Sequence, residues 1–124
     1  MGTDRENRGR VAYHAGASAE DSIAADYERR GFRVSNRRWR GAGGEIDLVV
    51  RGRDGLVFIE VKKARDFARA AARVSARQMA RLCAAAEEFL GQEPGGLLTD
   101  MRFDVALVNA SGEHRILENA FGAA

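Results

Sequence analysis

Gly44-Glu45-Ile46-Asp47-Leu48-Val49-Val50 and, after a short turn, Leu56-Val57-Phe58-Ile59-Glu60-Val61-Lys62 decide the fold of this chain. Each run is apolar, rich in β-branched residues and of strand length. The link between them, Arg51-Gly52-Arg53-Asp54-Gly55, is short and rich in turn residues, which predicts an antiparallel hairpin. Residues two apart in a strand share a face, so Glu60 and Lys62 point the same way. A register that pairs Asp47 with Glu60 also pairs Val49 with Phe58 and Glu45 with Lys62. It gathers Glu45, Asp47, Glu60 and Lys62 on one face and leaves Ile46, Leu48, Val57, Ile59 and Val61 on the other. A slip by one residue would scatter both sets.

Two carboxylates side by side repel each other and need a proton, a cation or a metal between them. Mg²⁺ takes carboxylate and carbonyl oxygens and keeps several waters. Asp47, Glu60 and the carbonyl of Val61 can supply such ligands, with Mg²⁺ or Mn²⁺ as the expected cofactor. Lys62 beside them could orient a metal-bound water and stabilise charge developing on a phosphate. Together these groups suffice for phosphodiester hydrolysis. The plainer alternative is a Glu60–Lys62 salt bridge at a sheet edge.

Outward from this hairpin, Ser18 and Asp21 read as a capping box opening a helix over 19–30, which Gly31 stops. Glu20 falls on the apolar stripe of that helix with Ile23, Ala24 and Tyr27. Phe32 to Trp39 reads as a strand, followed by turn glycines at Gly41, Gly43 and Gly44. Residues 64–74 are either irregular or part of a longer helix. Ser75 with Gln78 suggests a second cap, and Met79, Leu82, Cys83, Ala86, Phe89 and Leu90 form one apolar stripe after it. Arg102 to Asn109 and His114 to Leu117 read as two more strands. Alternation along the first of them turns Asp104 away from Phe103 and Val105, towards a structural hydrogen bond. The order predicts a single α/β domain, a mixed sheet of four to five strands flanked by helices. Residues 1–15 read as a flexible tail and 16–124 as the domain.

At 124 residues the chain fits one domain. The single cysteine, Cys83, excludes an internal disulfide and suits a reducing cytoplasm. Its place on an apolar stripe predicts a core thiol. No apolar run reaches the ~20 residues of a membrane span, and the polar N-terminus lacks a secretory signal. The net charge is only +2. Arginines nevertheless crowd residues 29–40, including Arg37, Arg38 and Arg40. A second set, Arg65, Arg69, Arg73, Arg77 and Arg81, recurs every fourth residue, which on a continuous helix makes a stripe. With Lys63, these arginines are candidate phosphate contacts. The preponderance of arginine over lysine can equally reflect genome composition. Trp39 could stack on a base, but a sheet residue covering the core is its plainer role.

The segments Gly44 to Leu48, Val57 to Lys62 and Arg102-Phe103-Asp104-Val105 resemble the YraN-like family of small bacterial proteins. The likeness extends from about Gly16 to Phe121 and includes Asn36 to Arg40 and Asn119-Ala120-Phe121. That family is similar to restriction-endonuclease-like and Holliday-junction-resolvase-like nucleases of the PD-(D/E)xK type. The resemblance implies a restriction-endonuclease-like fold, with Asp47 and Glu60 as metal ligands and Lys62 as the catalytic lysine. It implies that Glu20 reaches the same metal and that Gln78 is an accessory polar group, although a capping role suits Gln78 equally well. Lys63 and Arg77 stand where an arginine and a lysine, respectively, are expected.

Three functions compete. A metal-dependent endonuclease would act on DNA, branched or damaged DNA being the candidate substrate. A non-catalytic nucleic-acid-binding module would keep the fold and bind through its arginines. An interaction domain would use the charged face for docking. A symmetric homodimer would let so small a domain engage both strands of a duplex, but no segment marks an interface.

Overall fold

A computed structural model describes residues 19–121. The expected tail and the capping residue Ser18 lie outside this range. Helix α1 covers 19–29 of the described chain. Strands β1 (Arg33–Arg40), β2 (Glu45–Gly52) and β3 (Gly55–Lys63) follow, then helices α2 (Phe67–Ala72) and α3 (Ala76–Leu90). A short 3-10 turn at Gly96–Leu98 leads to β4 (Met101–Val108) and β5 (His114–Leu117). The five strands form one mixed sheet in sequence order. All neighbours are antiparallel except β3 and β4, which run parallel and are connected through α2 and α3.

Both faces of the sheet are covered. On one, Ile23, Ala24 and Tyr27 of α1 pack on Leu48, Val50, Val57, Ile59, Ala106 and Val108. On the other, Leu82, Ala85, Ala86, Phe89 and Leu90 of α3 pack on Ile46, Val49, Leu56 and Phe58. Helix α2 places Ala70 against Val105 and Leu107. Leu56 to Ile59 and Asp104 to Val108 are therefore continuously buried, as parallel strands covered on both sides require. Burying a side chain such as Phe58 or Ile59 contributes about 1.5–3 kcal/mol.

The β2–β3 register is the expected one: Leu48 pairs with Ile59, Val49 with Phe58 and Val50 with Val57. The turn is tighter than its composition suggests, because Gly52 still pairs with Gly55. Gly55 has φ +133°, and a Cβ there would lie 2.3 Å from the Asp100 carbonyl oxygen.

Several expectations fail. Residues 64–74 are neither wholly irregular nor part of a longer helix, because they hold a short helix of their own. Asp66 accepts from the Arg69 backbone N–H and caps α2, while Ser75 accepts from the Gln78 N–H (3.1 Å) and starts α3 afresh. The fourth-residue arginine stripe is therefore broken over a loop and two helices. Ile46 does not share a face with Leu48, because it joins the α3 side. Cys83 is half-buried at the margin of α3 rather than in the core, where burial, then Glu87, raises its thiol pKa.

The change of face at Ile46 has a local cause. Arg37 pairs with Leu48 and Trp39 with Ile46, and Arg38 and Asp47 occupy the intervening positions. Arg38 has φ +48°, left-handed backbone rare for a non-glycine residue. Strict alternation is lost there, and Trp39 and Ile46 turn together to the α3 side, where Trp39 meets Phe89 edge-to-face. Trp39 is thus a core-covering sheet residue.

Candidate functional site

The β2–β3 ladder stops at Leu48 and Ile59. Beyond it, Asp47 takes over the role of a ladder partner with its side chain: Oδ2 accepts the Val61 N–H at 2.8 Å. Where the strands part, a cleft of about 500 Å³ opens, lined by Glu20, Asp47, Val61, Lys62, Lys63, Arg73 and Gln78. It gathers α1, β2, β3 and the start of α3 at one end of the sheet. A second cavity of about 510 Å³, lined by residues such as Phe32, Gly52, Arg53 and Met101, contains none of the expected site residues.

Burial raises the Asp47 carboxyl to about 6, helped by the negative charge of Glu60 and, less, of Glu20 and Glu45, against the Val61 N–H. Each other acid has a cation. Glu60 Oε1 lies 3.1 Å from Lys62 Nζ, both largely buried. Glu20 accepts from Arg38 at 3.2 and 3.4 Å. Glu45 lies 3.9 Å from Arg40 and is exposed outside the cleft. The expected four-residue charged face is thus divided: Asp47 and Lys62 enter the cleft, Glu60 lies beside it on Lys62, and Glu45 faces Arg40.

Gln78 does not complete a reciprocal cap. Its Oε1 is buried with no hydrogen-bond partner among the described residues, on a residue that lines the cleft. The orphaned oxygen and the surrounding carboxylates are hard donors of the kind Mg²⁺ and Mn²⁺ take. Among the described residues, however, no three Asp, Glu, His or Cys side chains are grouped closely enough to enclose an ion. The donors fit such a cation in kind, because Mg²⁺ is commonly held by one or two carboxylates and retained waters.

The arginines divide in the same way. Arg37 pairs with Asp21 at 2.7 Å, Arg38 with Glu20, Arg40 with Glu45 and Arg69 with Asp66. Arg65, Arg73 and Arg77 make no ion pair among the described residues. Arg73 lines the cleft, and Arg77 is exposed in the first turn of α3. Of the two histidines, His14 lies outside the described residues, and His114 is joined to Asp26 at 2.9 Å, away from the cleft.

Sequence pattern foresaw the turn of Asp104 but not its network. Fully buried, it accepts from Tyr27 Oη (2.6 Å), Arg102 Nε (3.1 Å) and the Asn119 N–H (2.9 Å). Tyr27 is driven far above its ordinary pKa by burial and by Asp104. Glu88 was also missed. It accepts the N–H groups of Ala42 and Gly43 and anchors the β1–β2 turn. A Cβ at Gly41 would lie 2.2 Å from Glu88 Oε2, so the glycine is required for that approach. No helix of the described chain is long and apolar enough to cross a membrane.

Residues 19–108 match the model of a family described as "Uncharacterised protein family UPF0102". A UPF0102 protein of Ruegeria pomeroyi is 60% identical over 116 residues, covering 94% of each chain. One from Roseobacter denitrificans is 58% identical, covering 94% of this chain and 90% of its own. One from Cereibacter sphaeroides is 56% identical over 115 residues, covering 93% of this chain and 98% of its own. The matched span contains every strand but β5, together with Glu20, Asp47, Glu60, Lys62 and Gln78. On the family match and this identity over nearly its whole length, the chain belongs to the UPF0102, or YraN-like, family.

Proposed function

We propose that this chain is a metal-dependent endonuclease of the PD-(D/E)xK type acting on DNA, with branched or damaged DNA as its substrate class. One observation carries the reading: a partly buried aspartate, Asp47, is bonded to the β3 backbone where β2 and β3 separate, beside the Glu60–Lys62 pair. Asp47, Glu60 and the Val61 carbonyl would hold the cation, with Glu20 and Gln78 as further donors lining the cleft. Mg²⁺ or Mn²⁺ would supply Lewis acidity there. Lys62 would orient the attacking water and counter charge growing on the phosphate oxygens. Arg73 and Arg77, without acid partners among the described residues, are available to the nucleic-acid backbone.

A second reading is a non-catalytic DNA-binding module, for which the exposed Arg73 and Arg77 would supply phosphate contacts without a metal. Incubation with single-stranded, duplex, flap and four-way-junction DNA in Mn²⁺ separates the two. Cleavage by the wild type, with at least a hundredfold less by a folded Glu60→Gln variant, supports the endonuclease. Equal cleavage by both refutes the assignment of Glu60. Binding without cleavage of any substrate supports the module.

A further inference from the structure

The Glu20–Arg38 pair is unusual on both sides. Glu20 lines the cleft from α1 and is mostly buried, its side chain 24% exposed, whereas the Arg38 side chain is 67% exposed. Arg38 holds its place on left-handed backbone, φ +48°. Non-glycine residues adopt that conformation at a cost, and such outliers persist where their surroundings impose them. Here the strand pair changes face at the position of Asp47 and turns the Arg38 side chain towards α1. One arginine nitrogen reaches both Glu20 oxygens at 3.2 and 3.4 Å. That geometry is long and single-nitrogen, short of the two-nitrogen fork that guanidinium makes with carboxylate or phosphate.

We propose that Arg38 is a latch on Glu20 that nucleic-acid phosphate releases. In the free protein the guanidinium holds the Glu20 carboxylate. A phosphate arriving at the mouth of the cleft carries the same single charge as a carboxylate and offers the exposed guanidinium the two-nitrogen fork that Glu20 does not fill. Arg38 exchanges Glu20 for phosphate, and Glu20 is left without a counter-ion beside Asp47. Its negative charge then becomes available to the cation that the cleft carboxylates attract. Substrate binding and completion of the acidic site are thereby coupled, and an ill-assembled site in the free protein is the expected resting state. Arg37 and Arg40 are paired with Asp21 and Glu45, neither of which lines the cleft, so exchange at those positions frees no site residue. The inference rests on the nucleic-acid reading given above but not on catalysis.

The test is a double-mutant cycle of DNA affinity, in EDTA so that no metal or cleavage enters. Fluorescence anisotropy with a labelled single-stranded oligonucleotide compares the wild type, Glu20→Gln, Arg38→Asn and the double variant. Asparagine tolerates left-handed backbone, so the substitution removes the guanidinium without new strain. Circular dichroism and thermal melting establish that each variant folds. Glu20→Gln removes a negative charge and, in the proposal, also frees Arg38. Its gain should therefore be about fivefold or more when Arg38 is present and less than twofold in the Arg38→Asn background. An equal gain in both backgrounds reduces the effect to net charge and overturns the latch while leaving the nucleic-acid reading intact. No DNA binding by any of the four folded proteins overturns both.

Discussion

Asp47 Oδ2 accepts the backbone N–H of Val61 at 2.8 Å, so a side chain of one strand takes the ladder position that its own backbone has vacated. This bond anchors a partly buried carboxylate whose ionisation is opposed by desolvation and by Glu60. The folded carboxyl titrates at about 6, against 3.8 for the ordinary group. Between these values the native state holds more proton than the unfolded chain, so stability falls as pH rises through that window. The full deficit is on the order of 3 kcal/mol above pH 6. Asparagine keeps an acceptor for Val61 and cannot ionise. In EDTA, Asp47→Asn should raise the melting temperature at pH 7.5 and leave it nearly unchanged at pH 4. Equal effects at both pH values in thermal melts would contradict the assignment.

Tyr27 is fully buried and donates to Asp104 at 2.6 Å. Phenylalanine fills the ring site but leaves a buried carboxylate short of a donor. A donor lost to a buried charged acceptor costs about 1.5–3 kcal/mol. Urea unfolding of Tyr27→Phe should show that loss with an unchanged m-value. A loss below about 0.5 kcal/mol would indicate that Arg102 and the Asn119 N–H satisfy Asp104 unaided.

Gly55 and Gly31 both have positive φ, +133° and +95°. A Cβ at Gly55 would fall 2.3 Å from the Asp100 carbonyl oxygen, whereas at Gly31 nothing lies within 4 Å. Alanine at 31 meets conformational strain alone, about 1 kcal/mol. At 55 it must also displace backbone that accepts the Leu56 N–H. Gly55→Ala should therefore lower the denaturation midpoint substantially more than Gly31→Ala. Similar midpoints would show that the Asp100 loop yields freely.

Arg77 is exposed and has no acid partner among the described residues, whereas Arg37 is bonded to Asp21. An unpaired cation that meets a phosphate adds close to one unit to the slope of log affinity against log salt. In DNA binding titrations over a salt series, Arg77→Ala should flatten that slope by nearly one unit and Arg37→Ala by less. A slope unmoved by Arg77→Ala would remove this residue from the interface.

Much of the architecture was written locally. The hairpin register was legible because one alignment only gathers the charged positions of the two runs on a single face. The two caps of α2 and α3 were half legible: Ser75 was evident, but Asp66 was masked by the evenly spaced arginines, which carry no information about where a helix breaks. The failure at Ile46 has another origin. Alternation presumes an unbroken pleat, and Arg38, on left-handed backbone opposite Asp47, interrupts it. Nothing in the local sequence signals a non-glycine residue in that conformation, and the contact of Trp39 with Phe89 that accompanies it joins residues far apart in the chain.

The sequence by itself determined the five strands and the two longer helices, the hairpin register and the nearness of Asp47 to Lys62, which line one cleft. Those follow from the two-residue period of a strand and the exclusion of charge from a core. Only the tertiary structure decided which acids share the cleft and what each one pairs with. Glu20 arrives from α1 and Gln78 from α3, on opposite faces of the sheet, and they meet where β2 and β3 part. Glu45, adjacent in pattern, is carried away to Arg40. Charge pairing depends on distances of a few ångströms between elements remote in sequence. Only the packing of both helices on one twisted sheet sets those distances.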